Sequence, residues 1–101
     1  MGAKIRINPM ATEDLKEIKK YISEDNAEMA IIVVTDLIGK IESLVRFPEV
    51  GTMLMYKIGL LSRYRYVLCR QYLIFYLYED DTVSIQRILH GKRDYLALLK
   101  E

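Results

Sequence analysis

The sequence predicts an α+β domain in the order β-α-α-β-β-β, a helical hairpin packed on a small, mainly antiparallel sheet, with a short C-terminal helix. Three observations lead there. Apolar residues recur every three or four positions between residues 11 and 45. The pattern changes to alternation after the turn-rich Phe47-Pro48-Glu49-Val50-Gly51. The chain has 101 residues, 51% of them hydrophobic and 29% charged, enough for one core and too little for two. Residues 1–101 are therefore expected to form a single domain.

Lys4 to Asn8 alternates with period two and stops at Pro9, which predicts a short strand with Ile5 and Ile7 facing inward. Thr12 is the expected cap of the first helix, with Glu13 and Asp14 in its first turn and Lys19 and Lys20 late in it, matching the macrodipole. Ala11, Leu15, Ile18 and Ile22 form one narrow apolar stripe. After a polar break over residues 23–26, Ala30, Val34, Leu37, Ile41 and Leu44 repeat at helical spacing, flanked by Ala27, Ile31, Ile38 and Val45. The run Ile31-Ile32-Val33-Val34-Thr35 favours a strand locally, but periodicity over about 19 residues should override it, with Pro48 as the stop. So wide a face requires the second helix to touch both the first helix and a sheet.

Beyond residue 51, Tyr64 to Leu68 is one predicted strand and Leu54 to Ile58 a weaker one. Cys69-Arg70-Gln71 reads as a tight turn. Tyr72 to Tyr78 is apolar on both faces, as a central strand would be. Glu79-Asp80-Asp81-Thr82 is a hairpin turn by composition, and Val83 to Leu89 is the partner strand. Its parity breaks between Ile85 and Ile88, which predicts a bulge near Arg87 or the strand's end. Asp94 is placed to cap a final helix carrying Leu96 and Leu99. With the helices on one side, the second face of the sheet needs another cover or is a working surface.

Several classes are excluded on composition. The longest apolar run, Tyr72 to Tyr78, is far short of the about 20 residues needed to span a bilayer, so no membrane role is expected. Met1 to Met10 has no hydrophobic segment of the kind that directs export, and a single cysteine, Cys69, suits a reducing cytoplasm. No cofactor is expected, because the glycines are scattered and make no phosphate loop. No metal is expected either, since His90 and Cys69 are single and have no carboxylate pair at ligand spacing.

Charge is uneven along the chain. Residues 1–50 carry seven Lys or Arg against nine Asp or Glu, and residues 51–101 carry eight against five. Between Glu49 and Glu79 there is no acid, while Lys57, Arg63, Arg65 and Arg70 fall there with six of the eight tyrosines. Cations interleaved with aromatics suit a phosphate-bearing partner. The same residues also suit plain strands, in which tyrosine packs well and cations guard edges. Arg87-Ile88-Leu89-His90-Gly91-Lys92-Arg93-Asp94-Tyr95 is denser, and its side chains are expected to converge beside Arg65. Such a cluster suits a phosphodiester and its transition-state charge, with His90 or Tyr95 moving a proton. The alternative is structural: a surface Arg93–Asp94 pair, His90 as a strand-end hydrogen-bonder, and Tyr95 as a core cover. A Cys69–His90 nucleophile pair is a weaker candidate.

The order and spacing of the hairpin with its Phe47-Pro48-Glu49-Val50-Gly51 exit, Tyr64-Arg65, Tyr72-Leu73-Ile74-Phe75-Tyr76 and Ile88-Leu89-His90-Gly91-Lys92-Arg93-Asp94 resemble the RelE/ParE superfamily of toxins, also described as plasmid stabilisation proteins. The likeness runs from about residue 4 to residue 99, and the last string looks most like the ParE branch. It implies a cytoplasmic toxin of a bacterial type II toxin–antitoxin module, neutralised in a hetero-oligomer by a cognate antitoxin laid across its sheet and helices.

The resemblance also implies two mechanisms. RelE-like members cut mRNA on the ribosome, and ParE-like members poison DNA gyrase without a nuclease site. If this chain is a nuclease, Arg65, Arg93, Glu49, His90 and Tyr95 are the expected catalytic group. Lys57, Arg63, Arg65, Arg70, Arg87, Lys92 and Arg93 are the expected target- or phosphate-binding cations. Leu99 stands roughly where the nuclease branch keeps its C-terminal tyrosine, and Lys57 is alone where that branch has a lysine pair. These departures favour the gyrase branch. A further alternative is a module that no longer intoxicates and only binds an antitoxin.

Overall fold

Asn8 and Pro9 set the first corner of the molecule. In the computed structural model, which describes residues 2–54 and 63–99, β1 (Lys4–Ile7) runs directly into α1 (Pro9–Ser23). The Asn8 side-chain oxygen accepts the Met10 N–H at 2.8 Å, and Pro9 occupies the first helical position, where no N–H is needed. Thr12 is thus inside the helix rather than its cap, and the first turn holds no acid. The Asn-Pro pair starts the helix earlier because it settles two of the orphaned N–H groups at once.

Asn26 caps α2 (Ala27–Ser43) by accepting the Met29 N–H at 3.0 Å, so the polar break is a three-residue link between two packed helices. The β-branched run is helical, as periodicity predicts. Its buried stripe is Ala30, Val33, Leu37 and Ile41, continued by Leu44, so Val33 rather than Val34 is the inward residue. Ile31 and Ile38, expected to flank the buried face, are 58% and 44% exposed. The helix ends at Ser43, before Pro48.

The sheet contains β2 (Thr52–Met53), β3 (Arg65–Cys69), β4 (Tyr72–Glu79) and β5 (Thr82–His90), followed by α3 (Tyr95–Leu99). Its order is β1-β5-β4-β3-β2, with β1 parallel to β5 and the other pairs antiparallel. Central β4 is the most buried strand, as its two apolar faces predict. Asp80 and Asp81 both have positive φ, the type I′ geometry that matches strand twist in a two-residue hairpin. Arg87 pairs with Phe75 and Ile85 with Tyr76, so Gln86 is the extra residue of the expected bulge. The bulge returns Ile88 to the face of Val83 and Ile85. Of the weak Leu54–Ile58 strand, residues 55–58 lie outside the described residues, and the pairing seen is at Thr52 and Met53.

One expectation is corrected. Ile5 and Ile7 are 39% and 46% exposed, because β1 is an edge strand beyond the cover of the helices. Of the two alternatives for the sheet's second face, the structure shows a cover. Leu54, Phe75, Leu89 and Leu99 are buried together there, with Tyr64, Tyr66, Tyr95 and Leu96 packed against them. The final turn supplies this cover, since Asp94 caps α3 through the Ala97 N–H at 3.4 Å and folds Leu99 back onto the strands. The other face carries the larger core, from Ala11 and Ile18 through Leu37 and Ile41 to Ile74, Tyr76, Val83 and Ile85.

Candidate functional site

A groove of about 970 Å³ opens where the helical hairpin meets the far end of β4 and β5. Ile18 and Ile22 of α1, Met29 and Val33 of α2, and Tyr72 and Ile88 of the sheet line it with apolar surface. Glu17, Arg70, Gln71, His90 and Arg93 add polar groups, and exposed Tyr21 stands at its side. The narrow apolar stripe of α1 explains the opening: Ile18 is buried, whereas Leu15 and Ile22 are only partly covered.

His90 holds the end of this groove together. Its ring meets Tyr72 edge-on at 5.4 Å. Its Nδ1 accepts the Lys92 N–H at 3.1 Å, and its Nε2 lies 3.3 Å from Gln71 Oε1. With Nδ1 facing the Lys92 N–H and Nε2 facing Gln71 Oε1, both ring nitrogens serve the turn. The Gly91 N–H donates to the Gln71 carbonyl at 2.9 Å, tying the same two loops. Burial raises the pKa of the Tyr72 phenol, with Tyr21 adding to the shift.

Asp14 is a functional-looking acid with an internal task. It is 7% exposed and binds Arg87 through both oxygens, at 2.8 Å to Nε and 3.0 Å to Nη2. Its Oδ2 also accepts the Ile88 N–H at 2.9 Å. Arg87, expected among the target-binding cations, is therefore turned toward α1. Sequence reasoning missed Asp14, although it sits on the Ala11–Ile18 stripe at helical spacing, which was the available signal.

Arg65 and Glu49 belong to a different place. Arg65 Nη1 donates to the Glu49 carbonyl at 3.1 Å and to the Gly51 carbonyl at 3.2 Å. The Tyr76 hydroxyl donates to the Pro48 carbonyl at 2.9 Å and accepts the Gly51 N–H at 2.8 Å. Burial raises the Tyr76 pKa, which keeps the donating O–H in place. An added Cβ at Gly51 would lie within the Tyr76 hydroxyl, so glycine is required for this close approach. Arg65 pairs in register with Tyr76, and His90 with Tyr72. Four residues of β4 span about 13 Å, and β3 and β5 stand about 10 Å apart on either side of it. The expected convergence of the strand-end string beside Arg65 does not occur.

The remaining candidates are dispersed. Arg63 pairs with Glu79, and Arg70 with Asp36 at 2.7 Å. Lys92 and Arg93 are exposed in the turn after β5, and Arg93 reaches the groove. Tyr95 packs on Phe75, ring centroids 5.3 Å apart, inside the second core. Lys57 lies outside the described residues. Cys69 and His90 flank Tyr72 on opposite strands, about 10 Å apart, so no thiol–imidazole pair forms. Burial and the nearby Asp36 raise the Cys69 thiol pKa. Among the described residues no cluster of three or more His, Cys, Asp or Glu is placed to hold a metal, and no helix is long and apolar enough to cross a membrane. The groove's apolar lining with polar groups beside it suits binding of a polypeptide segment.

Comparison with known proteins agrees with the architecture. The solved chromosomal ParDE toxin–antitoxin system from P. aeruginosa superposes with a TM-score of 0.71 at 19% identity, over 87% of this chain and 95% of that one. The RelBE2 toxin–antitoxin complex from Mycobacterium tuberculosis does so at 0.67 and 21% identity, over 89% and 99%. At these identities the likeness is one of fold. No curated protein sequence gives a significant match. The sequence profile of the ParE toxin of type II toxin–antitoxin systems, parDE, matches residues 5–95, nine-tenths of the chain. The chain belongs to the ParE toxin family, within the RelE/ParE superfamily.

Proposed function

We propose that this type II toxin works as a single cytoplasmic domain that arrests growth by acting on DNA gyrase, and that a cognate antitoxin neutralises it by occupying the groove at the end of the helical hairpin. One observation carries the choice of target. The groups a phosphodiester cleavage would need are split between two ends of the sheet, Arg65 and Glu49 at one and His90 and Arg93 at the other. His90 and Tyr95 are engaged in packing and hydrogen bonds rather than presented to a substrate. Transition-state stabilisation requires donors and a proton carrier within hydrogen-bond reach of one reacting group.

The antitoxin reading is supported by the groove's composition. A floor of Ile18, Ile22, Met29, Val33 and Tyr72 suits the apolar side of a helical or extended segment, and Arg70 and Arg93 suit acidic side chains beside it. Exposed Lys92 and Arg93 favour a second reading, in which a basic strand end contacts mRNA on the ribosome. Purified protein is expected to block gyrase supercoiling of relaxed plasmid and to trap cleaved DNA. Full supercoiling at excess toxin, with new cleavage sites on translated mRNA by primer extension, would transfer the assignment to the ribosome.

A further inference from the structure

The outward side of α2 carries a patch that the packed core does not use. Glu28, Thr35 and Glu42 follow one another at seven-residue spacing, so they form a row along one side of the helix. Ile31 and Ile38 flank that row on one side, and Ile32 and Gly39 on the other. The row lies nearly opposite the buried stripe of Ala30, Val33, Leu37 and Ile41. Exposure agrees with the spacing. Ile31, Ile32 and Ile38 are 58%, 47% and 44% exposed, and Glu28, Thr35, Gly39 and Glu42 are exposed as well.

Two features make this patch a seat for another helix. A Cβ added at Gly39 would meet nothing within 4 Å, so no packing inside the chain calls for glycine there. Glycine is also a poor helix former. What it leaves is a notch beside Ile32 and Ile38, which another backbone can approach closely. The second feature is charge. The patch ends in a carboxylate at either end, Glu28 and Glu42, about 20 Å apart along the axis. Lys40, the only cation of α2, stands near Cys69 of β3 instead, and Asp36 is paired with Arg70.

We propose that this face docks the toxin on DNA gyrase by receiving an amphipathic helix of that enzyme, apolar at its centre and carrying Lys or Arg near both ends. The inference rests on the gyrase reading above and assigns the surface that makes the contact. The partner helix crosses α2 over Thr35 and Gly39, with its apolar side chains among Ile31, Ile32 and Ile38. Its cations reach Glu28 and Glu42. Sign separates this occupant from the others. The antitoxin groove, on the sheetward side of α2 at Met29 and Val33, offers Arg70 and Arg93 and so suits acidic side chains. Carboxylates at both ends of the patch repel nucleic-acid phosphates. An antiparallel second copy centred on Thr35 sets Glu28 against Glu42, and a parallel copy sets each acid against itself.

Two substitutions separate docking from folding, because each improves α2 by local rules. Gly39→Gln replaces glycine with a good helix former and fills the notch. Glu42→Lys places a cation in the last turn, where the helix dipole favours it, and reverses one end of the patch. Both variants should melt at or above the parent temperature and bind the cognate antitoxin within about twofold of the parent. The toxin concentration that halves supercoiling by purified gyrase should rise at least about tenfold for each. Unchanged inhibition by either variant overturns the docking face while the gyrase reading stands. Antitoxin affinity lost together with inhibition also overturns it, and gives the face to the antitoxin. A dimer of the free toxin that Gly39→Gln dissociates overturns it in favour of self-pairing. A parent protein that leaves supercoiling untouched at excess removes the gyrase reading, and the docking face with it.

Discussion

Asp14 and Arg87, 73 residues apart in sequence, form a two-pronged ion pair that fastens α1 to the bulged strand β5. The carboxylate also accepts the Ile88 N–H one residue beyond. One acidic residue therefore aligns a helix, a guanidinium and a strand edge in a largely water-excluded position. Asp14→Ala is expected to cost about 3–5 kcal/mol, because it removes one member of a buried, doubly hydrogen-bonded ion pair. Urea unfolding measures this directly, and a loss below about 1 kcal/mol would mean that the pair is solvated. A double substitution, Asp14→Leu with Arg87→Met, should recover much of the loss.

Tyr76 and Arg65 fix the loop between Phe47 and Gly51, so they predict stability effects rather than loss of chemistry. Tyr76→Phe removes bonds to the Gly51 N–H and Pro48 carbonyl and should cost about 1–3 kcal/mol by urea unfolding. Arg65→Ala should lower the melting temperature yet leave gyrase inhibition intact. Retained stability with lost toxicity would instead make Arg65 a target contact.

Alkaline titration gives a second handle on Tyr76. Burial raises its pKa, so folding favours the protonated phenol. That contribution is fully present below the unfolded value of about 10 and is lost as pH rises through the higher folded value. The stability gap between the parent and Tyr76→Phe is therefore expected to be constant at neutral pH and to narrow above about pH 10. A gap that narrows between pH 6 and 8 would contradict the assignment.

Cys69 should behave as a quiet thiol. Its pKa is raised by burial and by the Asp36 charge, which reduces the reactive thiolate near neutrality. Alkylation by iodoacetamide at pH 8 is expected to be several-fold slower than for a model thiol of pKa about 8.5. Cys69→Ala should inhibit growth as strongly as the parent. Fast alkylation with loss of toxicity would reinstate the thiol as a functional group.

The groove makes a prediction about the partner. Met29→Glu places a charge in the apolar lining at a half-buried site, where the fold should survive. Antitoxin affinity should fall by at least about tenfold, since a desolvated carboxylate is costly in an apolar contact. Isothermal titration against the antitoxin reads the change. By contrast, Ile41→Asp, at a position 3% exposed in the core, should unfold the protein and cost several kcal/mol.

Local rules settled most of the architecture. Periodicity made Ala27–Ser43 a helix despite its β-branched run, the two aspartates made the β4–β5 hairpin, and the parity break between Ile85 and Ile88 located the bulge to within a residue. These features depend on neighbours within a few positions, which is the range over which sequence pattern acts. The family resemblance was equally legible, because it rests on the order and spacing of such segments.

Which face each side chain meets was decided only by the assembled molecule. Whether Ile5 and Ile7 are buried depends on the rank of β1 in the sheet, and that rank is set by strands seventy-odd residues away. The same long-range pairing holds Arg65 apart from His90, draws Arg87 onto Asp14 and folds Leu99 over the second sheet face. Charge and residue type announce what a side chain is able to do. Strand order and helix placement choose which partners stand within hydrogen-bond reach of it, and those distances are fixed by packing between segments remote in sequence.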